Sequence, residues 1–317
     1  MTTTLSNKMM KAAIAVAFGF TMLIIPGQNS ALAASGKAKE LIHHHWHFDG
    51  ITGKFDKEAV QRGWQVYSEV CSYCHSLEQV SFRNLGQKGG PFYLSECPAG
   101  SGISESVDCS NPNDNPYVKQ IAKEYKFEIT DGPDEAGDLF QRPPEPKDRI
   151  PGPYANSNQA RAANNGALPP DLSLITKARH HGPDYVASLL QGYKSAPDTV
   201  TIAQGQHYNV YYPGDMSLLI KDQYRDEEGH ILKTVDVPYG GAFAMAPPLS
   251  EGIVDYADKS IPQTVEQYST DVTEFLMWAA EPKMEARKAL GMMSVIYLLT
   301  LSGLLYWSSR EIWSKAH

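Results

Sequence analysis

The chain has 317 residues, with 28 Lys and Arg against 36 Asp and Glu and a net charge of −8 with histidine neutral. A balance that acidic speaks against nucleic acid as a partner, because a phosphate backbone is held through positive charge. The length is sufficient for one or two domains with a substantial core.

Lys8 and Lys11 open the chain, an apolar stretch from Ala12 to Ile25 follows, and Ala31-Leu32-Ala33 offers a small-residue cleavage site. Residues 1–33 therefore read as a secretory signal peptide, and Pro26 and Gly27 end the apolar stretch too early for a membrane span. His43, His44, His45 and His47 resemble a metal-binding tract, but no thiolate partner lies near them in sequence. Trp46 and Phe48 are expected to pack this segment on the domain. After Asp56, a candidate N-cap, residues Ala59, Val60, Gly63, Tyr67 and Val70 recur at helical spacing.

That helix runs into Cys71-Ser72-Tyr73-Cys74-His75, a Cys-x-x-Cys-His motif. Two cysteines at this spacing tether a c-type haem through thioethers, and the adjacent histidine is an axial iron ligand. The motif points to an electron carrier. Half of a zinc site is the competing reading, and no second Cys-x-x-Cys or His pair follows at zinc-finger spacing.

The stretches 86–116 and 142–170 are rich in Gly, Ser, Asn and Pro and read as long loops, of the kind needed to wrap a large flat ring. Cys97 and Cys109 lie in the first of them. In an oxidising compartment they are a disulfide candidate, worth roughly 2–3 kcal/mol by closing a short loop. A short helix is expected over 184–191. A closed electron-transfer iron needs a second strong ligand, and Met245 is favoured because Gly240 and Gly241 permit close approach while Pro247 and Pro248 stiffen the loop beyond the sulfur. A thioether raises the potential. Met216, Met277, Met284, Met292 and Met293 are alternatives by element, and His180, His181, His207 or His230 would make a bis-imidazole site. A last amphipathic helix begins at Val265, and Glu281-Pro282 marks its end.

Residues 289–309 carry no charge and are bracketed by Lys288 and Arg310. At ~1.5 Å per residue they reach about 30 Å, one bilayer core. This predicts a transmembrane anchor in membrane lipid, with Tyr306, Trp307 and Trp313 as an interfacial belt. Residues 34–288 are then the exported domain, on the periplasmic side of a bacterial-type inner (plasma) membrane crossed once, and 310–317 are a cytoplasmic tail. Four basic residues (Lys8, Lys11, Arg310, Lys315) but one acidic residue (Glu311) fall outside that domain, so its net charge is −11.

The ordered set of Cys71 to His75, Ala162 to Ser173, Ala178-Arg179-His180, Ala244 to Leu249 and Trp278 to Pro282 resembles the cytochrome c1 family, the haem subunits of cytochrome bc1 complexes. The resemblance implies a mainly α, cytochrome c-like haem domain with long loops plus one C-terminal transmembrane helix. It implies one covalently bound haem c on Cys71 and Cys74, with His75 and Met245 on the iron. Arg179 would reach a propionate, where a guanidinium supplies paired donors to a carboxylate. Pro169 or Pro170 would pack by the ring. The 86–116 insertion is where the chain departs from shorter mitochondrial members.

By the same resemblance the protein is no enzyme on its own. It is the electron-transfer subunit of a quinol:cytochrome c oxidoreductase, taking single electrons from a Rieske iron-sulfur protein, beside cytochrome b in a dimeric complex. The acceptor is a soluble or tethered cytochrome c. Asp131, Asp134, Glu135 and Asp138, or Asp226, Glu227 and Glu228, are candidate docking charges for a basic carrier. The runner-up reading is an anchored c-type cytochrome that relays electrons to a terminal oxidase or reductase outside such a complex.

Overall fold

The computed structural model describes residues 38–99, 103–104 and 106–314. The signal-peptide expectation, residues 1–33, lies outside them. The domain is mainly helical, and it adds three two-stranded antiparallel ribbons that the periodicity did not announce.

Helix α1 (Lys57–Glu69) starts where expected, with the Asp56 carboxylate accepting from the backbone N–H of Glu58 and Ala59. It packs along α7 (Val265–Ala280), which ends before Pro282. Trp64, Tyr67, Tyr268, Phe275 and Trp278 are buried between and around them. Each such side chain contributes roughly 1.5–3 kcal/mol on leaving water. At the crossing the two backbones come unusually close: a Cβ at Gly63 would collide with the Asp271 carbonyl and lie 2.6 Å from Phe275 Cβ. Beside it Asp271, 1% exposed, accepts from Arg62 Nε (3.0 Å) and NH2 (2.8 Å), from the Tyr256 hydroxyl (2.9 Å) and from Gln267 (3.1 Å). A buried carboxylate is tolerable only with partners of this number and charge.

The loop regions are short elements joined by irregular chain. Helix α2 (Phe82–Gly86), α3 (Pro116–Lys123), α4 (Ser157–Ala163), α5 (Ile175–Ala178) and α6 (Gly182–Gln191) surround the α1/α7 pair. The stretch expected as a loop over 142–170 thus contains α4, capped by Asn156, and strand β4 (Arg149–Ile150), which pairs with β1 (Leu77–Ser81) just beyond the Cys-x-x-Cys-His turn. Strands β2 (Ile129–Asp131) and β3 (Phe140–Arg142) form a second ribbon, β5 (His207–Asn209) and β6 (Gly241–Phe243) a third. A disulfide joins Cys97 to Cys109, with Cα atoms 5.1 Å apart. A small satellite core of Val200, Tyr208, Met216 and Ile220 lies under the 197–235 segment.

The histidine tract finds its carboxylates from far along the chain, which sequence proximity could not reveal. His43 Nδ1 lies 2.9 Å from Asp184 and His47 Nδ1 lies 3.5 Å from the buried Glu274. Trp46 and Phe48 are buried and stacked, centroids 5.5 Å apart. Among the described residues no three His, Cys, Asp or Glu side chains converge as an ion site.

Helix α8 (Met284–Ser314) contains the charge-free stretch and extends beyond it at both ends, because Lys, Arg and Glu are good helix formers and do not stop a helix. Its first turns are fastened to the domain. Glu285 accepts from the Phe55 backbone N–H (3.0 Å), and Lys288 Nζ donates to the carbonyls of Phe48 and Gly53. From Leu290 onward the large apolar side chains are exposed.

Gly63→Ala is expected to lower stability by about 1–3 kcal/mol, the range for overpacking a closely fitted contact. Thermal unfolding followed by circular dichroism checks this, and an unchanged Tm would mean that α1 and α7 are free to separate.

Candidate functional site

Helix α1 ends at Glu69, and a turn of 3-10 helix (Cys71–Tyr73) carries the chain round. The N–H groups of Cys74 and His75 both donate to the Cys71 carbonyl, at 3.1 and 2.9 Å, which gathers both thiols and the imidazole on one short turn. The turn is fixed from below. Buried Ser72 donates to the Ser68 carbonyl (2.8 Å), and the Tyr67 hydroxyl donates to the His75 carbonyl (3.0 Å). Burial pushes the Tyr67 phenol far above its usual range, so it remains a donor. Lys126 Nζ sits 3.5 Å from the centroid of the exposed Tyr73 ring.

The imidazole itself is oriented by the stretch Pro169 to Ser173. His75 Nδ1 is 2.8 Å from the Pro170 carbonyl oxygen. A carbonyl can only accept, so the proton is on Nδ1 and the lone pair on Nε2. Burial holds the imidazole's pKa below its ordinary value, against smaller opposing effects of the Pro170 bond and Asp171. The ring is thus neutral at physiological pH, the form that binds a metal.

Pro170 is held in turn by its neighbour. Asp171 accepts from Ser76 Oγ (2.8 Å), the Glu78 N–H (2.8 Å) and the Ser173 N–H (2.9 Å), while the Leu172 N–H donates to the Ser76 carbonyl (3.0 Å). Ser173 Oγ accepts from the Gln79 N–H (3.0 Å). Burial alone would raise the Asp171 pKa. The donors from Glu78, Ser173 and Ser76 outweigh it and leave the carboxyl below the usual range.

Met245 and Arg179, the other residues expected at the site, lie on separate elements. Met245 follows β6, in a loop whose backbone is tied by the Tyr193 hydroxyl donating to the Met245 carbonyl (3.2 Å). Phe243 stacks on Tyr212, 4.6 Å between centroids. Gly240 has φ +101°, and a Cβ there would lie 2.7 Å from Val210 Cα, so the glycine is required on both counts. Burial raises the phenol pKa of both Tyr193 and Tyr185, the latter on α6, while Arg179 follows the end of α5. Arg179 is exposed on the wall of a cleft of about 510 Å³ that Leu41, Tyr185 and Tyr211 also line.

The alternative ligands are spread over the fold, with His207 in β5. Met216 and Met284 are buried in hydrophobic clusters, and Met277, Met292 and Met293 lie in α7 and α8. His180 and His181 pack edge to face on one another, and His230 lies 3.5 Å from Asp226 in a surface turn. Sequence reading did not single out Tyr67, Tyr193 or the carboxylate of Asp171. Tyr67 was legible only as a helix-face residue, Asp171 only as part of a longer motif, and nothing local marks Tyr193.

The residues present fit a covalently held haem. Cys71 and Cys74 are free thiols, on the same turn as an imidazole whose Nε2 is left available by its own hydrogen bond. Burial, with a smaller contribution from Cys74, pushes the Cys71 thiol up to about 12. The free Cys71 thiol is thus protonated at neutral pH.

A family model described as the Cytochrome C1 family matches residues 46–316. The chain is 43% identical to a cytochrome b/c1 of Bradyrhizobium diazoefficiens over 291 residues, covering 86% of this chain and 35% of that protein. It therefore spans about a third of that relative's length. It is 37% identical over 314 residues to the mitochondrial cytochrome c1 heme protein of Saccharomyces cerevisiae, covering 98% and 85% of the two chains. With a cytochrome c1 of Blastochloris viridis the identity is 34% over 320 residues, covering 95% and 94%.

The lowered Asp171 pKa makes its contribution to stability full above the unfolded value near 4, and that contribution is lost as pH falls through the folded value. Asp171→Asn is expected to cost about 1.5–3 kcal/mol at pH 7, the range for hydrogen bonds to a charged group, and less at an acid pH where the carboxyl has taken up a proton. Denaturant melts at the two pH values check this. An equal loss at both would assign the residue a role independent of its charge.

Proposed function

The chain belongs to the cytochrome c1 family, and from that premise we propose that it is the haem-bearing electron-transfer subunit of a membrane quinol:cytochrome c oxidoreductase, the bc1 complex. The observation that carries the reading is the His75 to Pro170 bond beside two free cysteines, a ligand set fixed in orientation before any metal arrives.

The haem supplies a one-electron couple when bound. Cys71 and Cys74 form the thioethers, His75 ligates through Nε2, and Met245 presents its sulfur from the loop that Tyr193 ties. Arg179 would pair with a propionate, and Pro169 or Pro170 would pack by the ring near His75. Two strong protein ligands keep oxygen and water off the iron in both oxidation states. They also require little rearrangement when charge changes, which favours outer-sphere transfer over bond chemistry. The chain by itself thus carries electrons, and the catalysis belongs to the complex.

Residues 1–33 direct export, 34–288 form the periplasmic domain, 289–309 span the membrane and 310–317 remain in the cytoplasm. The length and composition of α8 support the anchor. Cytochrome b and a Rieske protein are the proposed neighbours in a dimeric assembly, and a relative named for both b and c1 in one polypeptide supports the first of them. A cytochrome c is the acceptor. Asp131 shares Arg142 with Asp148 and Asp226 pairs with His230, whereas Asp134, Glu135, Asp138, Glu227 and Glu228 are exposed and would steer a basic carrier.

The defining experiment is mild-detergent extraction, in which a cytochrome b and a Rieske protein are expected to accompany this chain. Their absence, with a terminal oxidase or reductase in their place, would favour an independent relay. Met245→Leu should lower the midpoint potential by on the order of 0.1 V, a fraction of the roughly 0.8 V that axial ligands span. It should also open the iron to carbon monoxide. An unchanged potential in a redox titration would assign the sulfur to another methionine.

A further inference from the structure

Helix α1 leads into the Cys71 to His75 turn, and its own last turn contains no basic residue. The final carbonyls of a helix lack intrahelical donors and carry partial negative charge, so a cation placed there gains both a bond and a favourable field. Lys126 supplies that cation from 58 residues beyond Ser68. Its Nζ donates to the Ser68 carbonyl, which also accepts from the Ser72 hydroxyl (2.8 Å) within the haem-binding turn.

The ammonium is held from several sides. It stands 3.5 Å from the ring centroid of Tyr73, between the two haem cysteines, and 5.9 Å from that of Phe127. The backbone behind it is fixed by the preceding residue: Tyr125 is buried, stacked on Trp64 of α1 (6.1 Å between centroids) and set edge-on to Phe82 of α2 (5.3 Å). Its charge is not neutralised. Lys119, Lys147, Lys177 and Lys259 each pair with a carboxylate, whereas among the described residues no carboxylate pairs with Lys126. That charge reaches the cofactor cysteine, since burial and then Cys74 push the Cys71 thiol up while Lys126 opposes both.

We propose that Lys126 tunes the haem site: fixed against the Cys71 to His75 turn, its positive charge raises the midpoint potential of the group that the turn binds. The inference rests on the haem reading and adds to it a residue that belongs to none of the sequence motifs. An iron that gives up an electron gains positive charge, and repulsion from a nearby ammonium then favours the ferrous state. Lys126 is exposed, so solvent screens the effect and keeps it modest. The Ser68 bond also makes Lys126 a cap on α1. The two roles separate cleanly, because a cap needs a donor and the potential needs the charge.

The test is a redox titration, followed in the visible haem bands, of the haem-loaded full chain with its co-purifying subunits. Lys126→Gln keeps an N–H donor and removes the charge. It should move the redox equilibrium toward the oxidised form about threefold, or ~30 mV at about 59 mV per tenfold for one electron. Lys126→Glu changes the charge by two and should move it about ninefold, whereas Lys126→Arg should stay near the unsubstituted protein. Equal potentials in all four proteins overturn the proposal, whatever their melting temperatures, and leave Lys126 as a cap alone. Gln and Glu variants that match each other, or an Arg variant as low as Gln, overturn it too, because the shift then follows a lost contact and not the charge. An unsubstituted chain without covalent haem on a denaturing gel overturns the haem reading itself, and the proposal with it.

Discussion

One hydrogen bond, from His75 Nδ1–H to the Pro170 carbonyl, determines what the rest of the site can be. It decides the tautomer, because the acceptor has no proton to give, and with the tautomer it decides which nitrogen faces outward. The other interactions around the turn make that bond hold. Asp171 locks the backbone on the Pro170 side through Ser76, Glu78 and Ser173, and Tyr67 locks the His75 backbone from the helix. An imidazole aligned in this way would lose little entropy on coordinating a metal.

The same economy of parts extends toward the membrane. Helix α1 carries the haem-binding turn at its C-terminal end, and its N-cap Asp56 and the preceding Phe55 are bonded through their backbone N–H groups to Glu274 on α7 and Glu285 on α8. Gly63 lets α1 approach α7 closely in the middle. The cofactor turn and the anchor are thus opposite ends of one packed unit, not two modules joined by a flexible tether. Glu274 remains buried there, with burial raising its pKa against the opposing Asp56 N–H and His47. Its two partners come from the histidine-rich segment and the start of α1, so that segment has a structural role where composition suggested a metal tract.

Much of this organisation was legible because it rests on local signals. The Asp56 cap, the apolar spacing after it, the Pro282 stop and the charge-free stretch each act within a few residues, and α1, α7 and α8 lie over the expected positions. The short elements were less legible. Helix α4 and the ribbons β1/β4 and β5/β6 are too brief to show periodicity, and their pairing partners are 70 or so residues away along the chain or closer to 35. Tyr193 and the Asp171 carboxylate escaped for the same reason. Their importance lies in atoms supplied by distant segments, the Met245 carbonyl in one case and the Ser76–Glu78 backbone in the other.

The sequence alone determined the chemistry on offer. Cys71, Cys74 and His75 are contiguous, and a motif bound by chain connectivity needs no fold to bring its members together. The membrane-length run is likewise a property of consecutive residues. Only the tertiary structure decided how that chemistry is aimed: which imidazole nitrogen is free, what steadies the Met245 loop, and which carboxylates answer the histidine tract. These depend on a side chain meeting a backbone carbonyl across 95 residues for His75 and Pro170 and 52 for Tyr193 and Met245. Such meetings are set by the packing of α1 on α7 and of the loops around them, and no local pattern encodes them.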